Sequence, residues 1–159
     1  MSAFFNQYSY LLISLAILFG IGWLLYRTRL RSSYKISLFL GLMVALASLW
    51  VTLRPSNTDV QSVSQAEEMI ANGKPTFIQF YSQYCLGCVA IQPEVDKLIA
   101  EIHDDLNVLR IDIHSQHGSV LSERYTFQFS PEFILLDSAG NESWRGHTLP
   151  DTQTLQSLS

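Results

Sequence analysis

The chain has 159 residues, enough for one ordinary domain and a small addition, and its net charge is −4. That charge averages two unlike parts: residues 1–53 hold four basic residues and no acid, whereas residues 54–159 hold six basic residues and all fourteen acids. An acidic second part without a basic stripe argues against nucleic-acid binding.

Two apolar blocks come first in chain order. Tyr10 to Tyr26 and Ile36 to Leu53 carry no charged side chain. Eighteen helical residues reach roughly 27 Å, close to the ~30 Å hydrocarbon core of a bilayer. Neither block has an amphipathic stripe, so each is expected to be apolar all round. Tyr8, Tyr10, Trp23, Tyr26, Tyr34 and Trp50 lie mostly toward the block ends, as interfacial aromatics do. The spacing predicts transmembrane helices over about 9–26 and 36–53, joined by a basic loop, 27–35. Arg27, Arg29, Arg31 and Lys35 all fall in that loop, and the positive-inside rule places it in the cytoplasm. Everything after the second span is then expected on the other side of the membrane, in a periplasm or lumen. Ala45-Leu46-Ala47 resembles a signal-peptidase site, whose use would release a soluble domain; the uncleaved form is expected.

A polar linker, 54–59, leads into a domain over 60–159. Val60 to Ala71 has apolar residues at helical spacing, and Asn72-Gly73 would stop that helix. Thr76 to Tyr81 reads as a strand, and about Cys85 to Ile102 as a longer helix with apolar residues at 88, 91, 95, 98, 99 and 102 on one face. Asn107 to Ile113 alternates like a strand, and Gln116 to Tyr125 fits a short helix. Glu132 to Leu136 is expected as a strand, Asp137 to Gly140 as a turn and Asn141 to Arg145 as the return strand. Pro150-Asp151 would open a last helix. Such alternation predicts an α/β fold with a central sheet and helices on both faces.

The only two cysteines stand in Cys85-Leu86-Gly87-Cys88, where strand gives way to helix. This spacing near a βαβ pattern marks redox chemistry, because a helix N-terminus stabilises the thiolate that attacks disulfides. A purely structural disulfide would close too short a loop to restrain much chain.

The domain resembles the thioredoxin superfamily over about residues 60–158. The features that carry this are Cys85-Leu86-Gly87-Cys88 after the strand Phe77-Ile78-Gln79-Phe80-Tyr81, the aromatic Tyr84 before the first cysteine, Pro93 in the following helix, Ser130-Pro131 directly before Glu132–Leu136, and Gly140 in the final hairpin. The resemblance implies a central mixed sheet. It implies that Cys85 is the attacking thiol at the exposed start of its helix and that Cys88, more buried, resolves the mixed disulfide. Together they would form the redox disulfide. It further implies a cis peptide at Pro131, with Tyr84, Ser130 and Pro131 contacting the substrate by strand-like addition.

Two departures from the family stand out. Gln79 occupies a position where thioredoxins usually carry a buried acid, and glutamine cannot titrate, so proton transfer would need water, Glu94 or Glu132. Leu86-Gly87 replaces the Gly-Pro pair of thioredoxin itself, and these residues tune the reduction potential. His114 and His117 follow Cys88 at a spacing outside the zinc-finger ranges, so no metal and no cofactor is expected. His103 and His147 carry no signal.

The expected function is therefore a membrane-anchored thiol–disulfide oxidoreductase. It would reduce disulfides of extracytoplasmic proteins, for example in cytochrome c maturation, as the resemblance implies. The expected partners are a protein disulfide substrate and a transmembrane electron donor or larger membrane complex. Small residues on one face, Gly20 with Ala16 or Gly41 with Ala45, would suit close helix packing with such a partner. The alternatives are an accessory subunit with a non-catalytic domain and a copper-handling protein using the cysteines and His114.

Overall fold

The computed structural model describes residues 2–53, 62–151 and 154–155. Its four-stranded sheet is built from β1 (Thr76–Tyr81), β2 (Asn107–Asp112), β3 (Glu132–Leu136) and β4 (Glu142–Gly146), in the spatial order β2-β1-β3-β4. β1 pairs parallel with β2 and antiparallel with β3, and β4 is the antiparallel edge. A parallel neighbour cannot be reached by a tight turn, so the chain crosses over through α5 (Leu86–Ile102) between β1 and β2.

Strand alternation sends successive side chains to opposite faces. Phe77, Phe133 and Leu135 pack with Val95 and Ile102 of α5 on one face. On the other face Ile78, Phe80, Ile134 and Leu136 pack with Ala66 of α4 (Val63–Ile70) and Leu121 of α6 (Gln116–Arg124). Both faces are covered, which is why β1 and β3 are buried along their whole length. The α/β fold with a mixed sheet and helices on both faces matches the expectation from sequence.

Boundaries shift by one to three residues for local reasons. α4 begins at Val63 because the Ser62 hydroxyl caps it, accepting the Gln65 N–H at 3.1 Å; residues 60 and 61 lie outside the described residues. Gly73 follows with φ +83°, a conformation open to glycine. β2 stops at Asp112, whose carboxylate accepts the His114 N–H at 3.0 Å and turns the chain. α6 stops at Arg124, one residue short of the expected Tyr125, and β4 runs one residue later than expected, Glu142–Gly146. Of the last helix expected from Pro150-Asp151, those two residues are not helical, Thr154 and Leu155 are, and residues 152–153 and 156–159 lie outside the described residues.

The start of α6 is the tightest joint in the domain. A Cβ on Gly118 would stand 1.9 Å from the Asp112 carbonyl oxygen, which is backbone and cannot step aside. Gly118→Ala is therefore expected to cost about 1–3 kcal/mol by forced overpacking, read as a lowered denaturation midpoint. An unchanged midpoint would mean that this joint is looser than the packing indicates.

Ahead of the domain lie α1 (Ser2–Gln7), α2 (Ser9–Arg27) and α3 (Ser32–Leu53). α1 had no sequence signal. α2 and α3 are long and apolar enough to cross a membrane, with mean hydropathy 1.9 and 1.8. The connection between them is shorter than the expected 27–35. Arg27 completes α2 and Lys35 lies in the first turn of α3, where its ammonium donates to the Thr28 carbonyl at 2.7 Å. The two helices form a hairpin: the Tyr10 hydroxyl donates to the Leu46 carbonyl at 2.6 Å, and Gly22 faces the Phe39 ring.

Candidate active site

Cys85 caps α5 and Cys88 lies one turn in, and both are free thiols. The Cys85 sulfur accepts the Cys88 N–H at 3.4 Å, and its thiol points at the Ser130 carbonyl 3.6 Å away. With Tyr81 the pair forms a small buried cluster at the end of β1. The Cys88 thiol, and after it the backbone N–H groups of Cys88 and Gly87, hold Cys85 down at about 6 against the upward push of burial. The Cys88 thiol is pushed up, first by the hydrogen bond it gives to Cys85 and then by burial. One thiol is thus ready to ionise and the other keeps its proton.

The Ser130–Pro131 peptide bond is cis. It borders the thiols: a Cβ on Gly87 would sit 3.7 Å from both the Cys85 sulfur and Pro131 Cδ. Behind it, the His147 ring lies with Nδ1 2.9 Å from the Pro131 carbonyl and stacks on Phe129 at 3.6 Å between centroids. The structure therefore brings Cys85, Cys88, Ser130 and Pro131 together. Tyr84 stands at the same mouth, with its ring turned toward other aromatics.

Three expectations need correction. Cys85 is not exposed; it has no accessible surface. Ser130 lies against it, and residues 6–10 run across the same mouth, bound to Tyr84, Leu86 and Ser130 on its rim. Glu132 cannot relay the Cys88 proton. It lies on the sheet face of Ile134 and Phe80, opposite the cysteines, and its carboxylate is held by the Arg145 guanidinium at 3.1 Å and the Gln128 N–H at 3.2 Å. Glu94 is exposed on α5. Gln79 itself is fully buried, on the sheet face of Phe77 and Tyr81, and its amide has no hydrogen-bond partner among the described residues. A small polar group such as water is the remaining candidate for a proton path there.

Sequence reasoning missed a ring of groups around the thiols. His114, whose spacing from the cysteines fits no zinc site, places Nε2 3.0 Å from the Ser82 hydroxyl and its ring 5.5 Å from Tyr84. Ser82 also accepts the Tyr84 N–H at 3.2 Å. Trp50, read as a membrane-interface aromatic, lies parallel to Tyr84 at 6.0 Å. Tyr8, read in the same way, stacks near Tyr84 at 6.1 Å and lies 5.2 Å from His114. No group of three or more His, Cys, Asp or Glu that could hold a metal assembles among the described residues.

The thioredoxin family model matches residues 58–156. Among curated relatives, the chloroplastic thioredoxin-like protein HCF164 of Arabidopsis thaliana is 30% identical over 76 residues, which are 48% of this chain and 29% of that protein. The thiol:disulfide interchange protein TxlA homolog of Synechocystis is 27% identical over 100 residues, 59% of this chain and 56% of that protein. The chain thus spans between about a third and about half of the length of these relatives. The thioredoxin of Fasciola hepatica superposes with a TM-score of 0.51 at 21% identity, covering 61% of this chain and 91% of that one. The thioredoxin of Trypanosoma brucei brucei does so with a TM-score of 0.50 at 22% identity, covering 58% and 79%. At such identity these two structures speak for the fold alone. The profile match over residues 58–156, laid on a CxxC that caps α5 beside a cis-proline, makes the chain a member of the thioredoxin family.

Proposed function

We propose that the chain is a membrane-anchored thiol–disulfide oxidoreductase that reduces disulfides of extracytoplasmic proteins, with cytochrome c maturation as the candidate pathway. The observation that carries this is the split between its two thiols, Cys85 held at about 6 and Cys88 pushed up, at the head of α5 beside Ser130–Pro131. The Cys85 thiolate attacks one sulfur of the client disulfide, forming a mixed disulfide and releasing the other client sulfur as a thiolate. Cys88 gives up its proton and attacks the Cys85 sulfur. The Cys85–Cys88 disulfide forms and the second client sulfur leaves. The client gains two electrons and the chain loses two. Ser130 and Pro131 would hold the client backbone, and Tyr84 would line its path.

α2 and α3 support the anchor, since their apolar side chains are exposed and not buried in a core: Phe19, Leu24, Leu38 and Val44 all face outward. Arg27, Arg29, Arg31 and Lys35 gather at the end of the hairpin remote from the thiols, which supports, by the positive-inside rule, a site outside the cytoplasm. Turnover then needs a membrane electron donor. Gly20 and Gly41 have nothing within 4 Å of a Cβ position, and such small-residue faces suit a transmembrane partner.

The test is to express Cys88→Ser in native membranes and look for adducts. The expected result is a reductant-sensitive mixed disulfide on Cys85 with an extracytoplasmic protein. No adduct on Cys85, or adducts only with cytosolic proteins, would contradict the proposal.

A further inference from the structure

The segment that runs across the thiols belongs to the chain itself. The Asn6 side-chain amide donates to the Ser130 carbonyl. The Gln7 carbonyl accepts from the Ser82 hydroxyl at 3.0 Å. Ser9 Oγ accepts the Leu86 N–H at 3.0 Å. The Tyr10 N–H donates to the Tyr84 carbonyl at 3.0 Å. Between these anchors the Tyr8 ring lies against Tyr84 and His114.

The pattern is reciprocal in a way that local structure does not require. The N–H groups in the first turn of any helix have no partner within that helix. Leu86 opens α5 and Tyr10 stands in the first turn of α2, and the orphan N–H of each is met from across the contact, by Ser9 Oγ and by the Tyr84 carbonyl. Ser9 is a residue type suited to capping, yet Tyr8 stands at the N-cap of α2 and makes no side-chain cap. The Ser9 hydroxyl serves α5 instead. The result is a Cys85 without accessible surface at a helix start whose next-but-one residue, Gly87, is exposed.

We propose that residues 6–10 are a built-in cap seated in the client groove, competing with the client for the Ser130 carbonyl and for access to Cys85. This rests on the reading of Cys85 as the attacking thiol and of Ser130 as a client-binding residue. An incoming polypeptide must displace Asn6 from Ser130 and lift Tyr8 from the Tyr84–His114 slot before its disulfide can reach the sulfur. A partner that supplies a backbone N–H to Ser130 and an aromatic side chain to that slot replaces what the cap gives up, and it opens the site selectively. Small disulfides without those features meet the closed form.

Two measurements test the cap without using turnover. The first is the rate at which iodoacetamide alkylates Cys85 in the reduced full chain at a pH where Cys85 is ionised. The double variant Asn6→Ala, Ser9→Ala is expected to react at least about tenfold faster, one decade being near the worth of a single hydrogen bond. An unchanged rate overturns the cap. The second uses the unmodified chain, so a folding defect cannot confound it: hydrogen exchange at the Leu86 amide. Slow exchange is expected, because Ser9 is its partner in the closed form. Exchange at the rate of an open chain overturns the cap. If alkylation and exchange behave as expected but no client disulfide is ever reduced, the cap stands and the oxidoreductase reading falls.

Discussion

Cys85→Ser is expected to abolish disulfide reduction altogether, while Cys88→Ser retains the first step and stops there. The difference follows from what each sulfur does. A serine hydroxyl at 85 has no thiolate form and cannot attack a client sulfur. A serine at 88 leaves the attack intact but cannot displace the client from the mixed disulfide. The Cys88 variant should therefore consume one equivalent of client and accumulate it covalently, with no further turnover. There is a second-order effect. The Cys88 thiol is the largest contribution holding Cys85 low, so Cys88→Ala, which removes that donor entirely, should raise Cys85 and slow the first step near neutral pH. The measurement is client reduction under single-turnover conditions with quantified adduct. Equal residual activity in the two single variants would contradict the assigned order of attack.

The second large effect is on pH. The alkylation rate of Cys85 is expected to rise through about pH 6 and to flatten above pH 7. At pH 7 a thiol at about 6 is roughly 90% ionised and one at the ordinary 9.0 about 1%, a roughly 90-fold difference in reactive form. A cap lowers the whole curve without moving its midpoint. The same shift appears in stability. Between about pH 6 and 9 the unfolded reduced chain binds a proton at Cys85 that the folded chain has lost. Stability of the reduced form therefore increases with pH across that window, and the contribution disappears as pH falls through about 6. Cys88 keeps its proton in both states at neutral pH, but as pH approaches 9 it ionises in the unfolded chain and not in the folded one, so the gain levels off at the top of that window. The disulfide form has no such thiolate, so on acidification the denaturation midpoint of the reduced chain should fall relative to that of the oxidised chain. A midpoint near pH 9 in the alkylation profile would remove the basis for Cys85 as the attacking group.

Much of this was legible in the sequence because it depends on neighbours in the chain. Phe77, Ile78 and Phe80 around Gln79 mark a strand covered on both faces, and the structure buries all six residues of β1. Cys85 and Cys88, one turn apart after that strand, place the thiols on a helix start without any tertiary information. Ser62 caps α4 as its residue type favours, although periodicity alone set that helix three residues earlier. What was not legible lies between residues far apart in the chain. Ser9 and Leu86 are 77 positions apart, and Ser82 and Gln7 are 75 apart. No local pattern encodes such contacts. Tyr8 and Trp50 show the ambiguity directly. An aromatic at the end of an apolar helix has the same composition whether it meets lipid headgroups or Tyr84. The place of His114 is hidden in the sequence for a similar reason, since only the turn after β2, set by Asp112, brings it to Ser82.

The most direct measurement is to mix the reduced chain with excess client disulfide, quench with alkylating reagent and weigh the product. Both thiols are expected to vanish together, the chain losing two hydrogens to a Cys85–Cys88 disulfide as one client disulfide becomes two thiols. Recovery of a chain still alkylated at both cysteines would contradict it.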